Sequence, residues 1–109
     1  MVENGEVSEA LERFVRDRDW AQFHSEANLA KSISIEAAEL LECYQWRDEG
    51  DRADVVAELA DVLTYCYLLA AKLGVGTDQI VLDKLEQTKA KYPIEKSRGR
   101  SEKYDRLLD

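Results

Sequence analysis

The sequence is short of the residues that break or bend a chain. Five glycines and one proline in 109 residues are too few turn formers for a many-stranded β fold. Histidine is scarcer still: His24 is the single one, and it stands apart from every Glu-x-x-x spacing that a ferritin-like di-iron site would complete with histidine. The two cysteines, Cys43 and Cys66, fall inside predicted helices and read as reduced core residues rather than a disulfide pair. No apolar run approaches the length of a membrane span, and no signal-peptide pattern opens the chain. The expectation is a cytoplasmic, soluble protein with no membrane association. Positive charge is also in deficit, with 15 Lys and Arg against 23 Asp and Glu and a net charge of −8. Such a surface argues against binding a nucleic acid polymer, which needs many phosphates neutralised. A small phosphorylated ligand remains possible, because divalent cations invert the local charge.

What the chain does have is 45% hydrophobic and 35% charged residues, a mixture suited to long amphipathic helices. The length fits one domain over residues 1–109, and a monomer of this size buries a modest core, which favours assembly. Four helices are predicted. The first runs from about Glu6 to Arg18, with Ser8 as an N-cap and Leu11, Phe14 and Val15 as its apolar stripe. Residues 19–27 read as a loop. The second helix spans about Asn28 to Trp46. The third runs from about Asp51 to Leu73, with Gly74 as its stop. Thr77 opens the fourth, which reaches Lys91 before Tyr92-Pro93 ends it. The tail 94–109 reads as extended, or ordered only by a partner.

Two of these helices carry an anomaly. At about 100° per residue, Leu29 and Leu40 lie within about 40° of Glu36 on one side and Cys43 about 20° away on the other. Glu36 therefore sits in the middle of an apolar face, and Glu39 lies one turn on, about 60° around. On the third helix Val55, Val62 and Leu69 lie within about 60° of Glu58, with Tyr65 about 20° to the other side. Asp61 again follows one turn later. Each helix thus points an i, i+3 acid pair at the surface that should face the interior.

Carboxylates are almost never buried without a partner, and four converging ones raise one another's pKa. A cation among them resolves the conflict, whether a divalent metal or basic side chains from elsewhere. The competing reading is ordinary salt bridges or solvated faces, and it has to account for two matched pairs. All-oxygen ligands select Mg²⁺, with Mn²⁺ as a substitute, over zinc, copper or iron. Magnesium commonly shares its coordination with substrate phosphates, so phosphate-ester or phosphoanhydride chemistry is the natural use.

The string Ile35-Glu36-Ala37-Ala38-Glu39-Leu40-Leu41-Glu42-Cys43-Tyr44-Gln45-Trp46, followed by Glu58-Leu59-Ala60-Asp61-Val62-Leu63-Thr64-Tyr65, resembles the MazG-like nucleotide pyrophosphohydrolases. It looks closest to the dCTP pyrophosphatase branch of the all-α NTP pyrophosphatase superfamily, whose pattern is E-x-x-E, a spacer, then E-x-x-D. Arg18-Asp19-Trp20-Ala21-Gln22-Phe23-His24 and Lys91-Tyr92-Pro93 extend the likeness to roughly Leu11–Tyr104. The resemblance implies an all-α four-helix bundle completed by oligomerisation, as a homodimer or homotetramer; the apolar residues nearly all round the third helix fit that. It implies Mg²⁺ held by Glu36, Glu39, Glu58 and Asp61, and hydrolysis of a nucleoside triphosphate, dCTP as a candidate, to monophosphate and pyrophosphate in nucleotide-pool house-cleaning. It also implies a base pocket from Trp20, Trp46 and Tyr65 with His24 nearby, since any base can stack on a flat side chain. Core packing is the competing role for Trp46 and Tyr65, and capping for His24. Phosphate contacts are implied at Lys84, Lys91 and Tyr92. Here the chain departs from the family's K-x-x-x-N-x-x-R-Y-P: Thr88 replaces the Asn, and Lys91 loses an arginine's bidentate fork. Arg98, Arg100 and Lys103 are expected to be solvated, with phosphate contact across a subunit interface as the alternative. Two rival readings stand beside the pyrophosphohydrolase: a non-enzymatic helical module whose acid pairs meet a partner's basic residues, and a phosphohydrolase acting on another anhydride.

Overall fold

The computed structural model describes residues 5–101, and all regular structure among them is helical. The order is α1 (Glu6–Asp17), a 3₁₀ turn (Ala21–Phe23), α2 (Glu26–Glu42), α3 (Arg52–Leu73), α4 (Thr77–Lys91) and α5 (Ile94–Ser97). The chain divides into two compact units, with the division falling after Thr77. No single helix among the described residues is long and apolar enough to cross a membrane.

Local chemistry sets the ends of each helix in the first unit. Glu6 opens α1 after Gly5, which supplies no side-chain cap, so Ser8 lies inside the helix rather than capping it. Ser25 caps α2: its Oγ accepts from the Asn28 backbone N–H at 3.1 Å. That cap starts the helix two residues before the position expected from its apolar pattern, and it frees the Asn28 amide to donate to Phe23 O at 3.1 Å. The far end of α2 also departs from expectation. Cys43 and Tyr44 donate three residues back, to Leu40 O and Leu41 O, so the coil tightens and ends at Glu42. Trp46 is consequently a loop residue and Cys43 the C-cap of the helix.

The α2–α3 connection closes on Gly50. A Cβ there would meet Val55 Cγ2 at 2.8 Å, Cys43 O at 3.1 Å and Tyr44 Cε1 at 3.3 Å. Asp51 then caps α3, its Oδ1 accepting from the N–H groups of Ala53 and Asp54 at 3.0 and 3.2 Å. At the other end Gly74 takes φ 71°, and Val75 N–H reaches back to Ala70 O at 3.0 Å. Glycine adopts this left-handed conformation without the Cβ clash that disfavours most residues.

Packing in this unit centres on α3, against which α2 lies along its length and α1 more sparsely. Val15, Leu29 and Ala70 are the buried apolar residues among those described, with Leu29 at 1% exposure. Many large apolar side chains stay exposed instead, including Val56, Leu59 and Leu63 along one side of α3.

In the second unit α4 is ordered by neighbours on its own surface. Gln79 Nε2 donates to Asp83 Oδ1 at 2.7 Å, and Lys89 pairs with Glu86 at 3.0 Å. Tyr92-Pro93 ends the helix as expected, but the chain beyond it is not extended: Pro93 O accepts from Lys96 and Ser97 N–H, and Ile94–Ser97 forms one helical turn. Lys103 and the rest of the expected tail beyond residue 101 lie outside the described residues.

The close approach at Gly50 yields a prediction. Gly50→Ala drives a methyl into backbone as well as side chain, and should cost about 1–3 kcal/mol, read as a lower urea midpoint at unchanged m-value. An unchanged midpoint would show that the loop relaxes freely.

Candidate metal centre

The contact between α2 and α3 brings three acids together. One carboxylate oxygen from each of Glu36, Glu58 and Asp61 lies within 4.8 Å of the others. Glu36 and Glu58 are half-buried and Asp61 is exposed. The apolar faces read from the sequence are the inner ones: Leu29 is buried, and Leu40, Val55, Val62, Tyr65 and Leu69 are half-buried. Glu39 stands outside the trio and is exposed, yet its side chain has the largest influence on the titration of Glu36.

This arrangement is electrostatically incomplete. Glu36 Oε2 and Glu58 Oε2 are buried and meet no hydrogen-bond donor among the described residues. The ion pairs Arg16–Glu12 and Lys89–Glu86 involve none of the four acids. Hydrogen bonding with the Glu39 side chain, which favours the protonated form, is the main reason the Glu36 pKa rises from 4.5 to about 7, and burial and the charges of Glu39, Asp61 and Glu58 add to it. Burial is the main cause for Glu58, whose pKa is also raised, with Glu39 and Asp61 adding repulsion. Cys43 is raised as well, by burial and then by Glu58, so its thiol stays protonated beside Glu39 O, 3.9 Å away. Both cysteines are free, in keeping with the sequence reading.

These donors fit a hard divalent cation. They are all oxygen, they converge, and two of them are buried without a partner, which a cation with oxygen-seeking chemistry corrects. Glu36, Glu58 and Asp61 would hold it, with Glu39 within reach of the Glu36 carboxylate.

The remaining sequence candidates of the first unit stand in different elements. Trp20 follows α1 and is 44% exposed, while Trp46 stands 89% exposed in the α2–α3 loop. Trp46 is thus neither a helix-ending residue nor a core residue. Tyr65 is half-buried in α3. His24 closes the 3₁₀ turn and is one wall of a cavity of about 570 Å³, which Leu11, Val15, Leu29, Tyr67 and Val75 also line. None of the four acids, Trp20, Trp46 or Tyr65 lines that cavity. Lys84, Lys91 and Tyr92 belong to the second unit. There Lys84 Nζ donates to Gln87 Oε1 at 3.4 Å and Thr88 Oγ1 to Lys84 O at 3.1 Å.

An all-helical chain with this acid cluster has known relatives. Residues 31–107 match the MazG-like family, and the chain belongs to it. Among curated relatives, dCTP pyrophosphatase 1 of Mus musculus and of Homo sapiens are each 36% identical over 104 residues, an alignment covering 86% of this chain and 61% of theirs. The chain therefore spans about three fifths of the length of these relatives. Among solved structures, a pyrophosphatase from Archaeoglobus fulgidus DSM 4304 is 34% identical with a TM-score of 0.76, covering 85% of this chain and 99% of that one. The resemblance read from the two acid motifs is thereby borne out at the level of the family.

The raised Glu36 pKa sets a pH dependence. Below 4.5 the folded and unfolded chains both hold its proton; between 4.5 and about 7 only the folded chain keeps it. Metal-free protein therefore loses stability as pH rises through that interval. Glu36→Gln, neutral throughout, should lack this component. The thermal midpoint of wild type should fall relative to the variant from pH 4.5 to 7, and a constant difference would contradict the raised pKa of Glu36.

Proposed function

We propose that the protein is a divalent-metal-dependent nucleoside triphosphate pyrophosphohydrolase. It converts deoxynucleoside triphosphates, dCTP foremost, to the monophosphate and pyrophosphate. The observation that carries this reading is the convergence of Glu36, Glu58 and Asp61 with two buried, unpartnered carboxylate oxygens. Family membership and the activities for which the relatives are named supply the reaction. The non-enzymatic module has no comparable support, because it leaves the buried oxygens waiting for a partner's basic residues.

Glu36, Glu39, Glu58 and Asp61 are the acids assigned to the metal, Mg²⁺ first and Mn²⁺ as a substitute. When bound, such an ion supplies Lewis acidity toward phosphate oxygens and water. The chain's own carboxylates hold their positions through the α2–α3 packing, so their geometry is set before substrate arrives. Glu39 is exposed and stands outside the trio of converging oxygens. It is the acid best placed to accept a proton from an attacking water. Trp20, Trp46 and Tyr65, with His24, are assigned to the base, and Lys84, Lys91 and Tyr92 to the phosphates.

The same reading includes a homodimer or homotetramer working on the cytoplasmic nucleotide pool. Its support is the small buried core set against the many exposed large apolar residues of α2, α3 and α4, more apolar surface than a free monomer usually presents. Light scattering should give the mass of two or four chains; a monomer mass at micromolar concentration would contradict it.

The activity has a direct test. Purified protein is incubated with each dNTP and Mg²⁺, and the products are resolved. Monophosphate and pyrophosphate should appear, vanish with EDTA, and fall by roughly 10²-fold or more in Glu58→Gln, the scale on which removing one charge-stabilising group acts. Absence of turnover would overturn the assignment. Orthophosphate release would instead identify hydrolysis at another anhydride bond of the triphosphate.

A further inference from the structure

The segment after α1 is built with more order than its burial explains. Phe14 and Trp20 are exposed at 43% and 44%, yet their rings meet edge-to-face, with centroids 5.5 Å apart and planes at 85°. The Arg18 guanidinium lies over the Phe14 ring, its Cζ 3.8 Å from the centroid, and its Nη1 donates to Phe14 O at 3.1 Å. Phe14 is therefore gripped by Arg18 and carries Trp20 against it. Fixing three exposed side chains loses rotamer freedom with little burial in return.

The backbone reinforces the same placement. Asp19 is the one non-glycine residue with positive φ, at 53°, among those described. This turn lets Trp20 N–H reach Val15 O at 3.0 Å, the bond that Gly74 permits at the end of α3 through Val75. At Asp19 a side chain is retained in the left-handed region, which disfavours most residues and tolerates Asp. That side chain braces the turn, because Gln22 Nε2 donates both to Asp19 Oδ2 at 3.1 Å and to Asp19 O at 3.0 Å. The turn on either side of Trp20 is thus tied down from both directions.

We infer that Phe14 and Arg18 are positioning residues that hold the Trp20 indole in a fixed, partly exposed pose for stacking on the substrate base. The inference rests on the pyrophosphohydrolase reading and deepens it. A stack set before binding spares the cost of ordering the indole when the nucleotide arrives. Phe14 and Arg18 act through Trp20 and touch no reacting atom. Their loss should appear in KM and leave kcat near the wild-type value, because ordering the base acts on ground state and transition state alike.

The test uses the full chain with Mg²⁺ and dCTP, comparing Phe14→Leu, Phe14→Tyr, Arg18→Gln and wild type. Phe14→Leu keeps apolar bulk at the site and removes the ring. KM should rise roughly three- to tenfold in Phe14→Leu and Arg18→Gln, the factor that one aromatic or cation–π contact corresponds to. Phe14→Tyr should restore it. Time-resolved anisotropy of Trp20, read in a Trp46→Phe background without nucleotide, should show a larger fast component in Phe14→Leu and not in Phe14→Tyr. A staple that only ends α1 would lower the thermal midpoint and leave KM within twofold, and that result overturns the inference while the enzymatic reading stands. An unchanged anisotropy in Phe14→Leu also overturns it. If wild type hydrolyses no nucleotide, the enzymatic reading itself fails and the positioning role fails with it.

Discussion

Mutual repulsion among carboxylates at the α2–α3 contact is the constraint on which the rest of the structure depends. Glu36, Glu58 and Asp61 are pressed together by the same apolar faces that hold the helices in place. Leu29 and its neighbours pull the helices together while the acids push them apart. Without a cation the conflict favours the protonated form of Glu36, whose pKa is pushed up to about 7. That solution leaves two buried oxygens unpaired, which a divalent cation would satisfy in place of a proton. Folding and ligand binding are in this sense linked through one cluster.

The acid cluster is legible in the sequence because helical periodicity is insensitive to small errors at helix ends. Glu36 and Glu58 lie mid-helix, so ending α2 at Glu42 instead of Trp46 leaves their faces unchanged. The borderline angle of Glu39 is informative too, since it proves to stand outside the trio. The α3 ends can also be read, because Asp51 and Gly74 carry side-chain and backbone chemistry that acts locally. Other features escape for identifiable reasons. Ser25 is a stronger cap than the apolar pattern that points to Asn28. The helical period runs on to Trp46, past the point where Gly50 draws the chain back. The reversal at Asp19 is hidden because a left-handed stop is sought at glycine, although the i, i+4 spacing of Phe14 and Arg18 hints at the stack.

The distribution of apolar surface separates what one chain organises from what it leaves open. The α2–α3 contact positions acids within a single protomer, whereas the aromatic residues assigned to the base are spread over two loops and a helix. Exposed Val56, Leu59 and Leu63 on α3 make that helix apolar well beyond the side that contacts α2. A second copy would cover this surface without disturbing the acids, whose positions depend on side chains already packed. A cation held by Glu36, Glu58 and Asp61 would thus draw these ligands from one protomer, apart from any surface that a second copy would cover.

The measurement that bears most directly on the acid cluster is a titration of Mn²⁺ into metal-free protein, followed by the electron paramagnetic resonance signal of the free ion. A saturable loss of that signal is predicted for wild type at pH 7, strongly weakened in both Glu36→Gln and Glu58→Gln. A free-ion signal that grows in proportion to added Mn²⁺ in wild type, or binding that both variants retain, would contradict a cation site between α2 and α3.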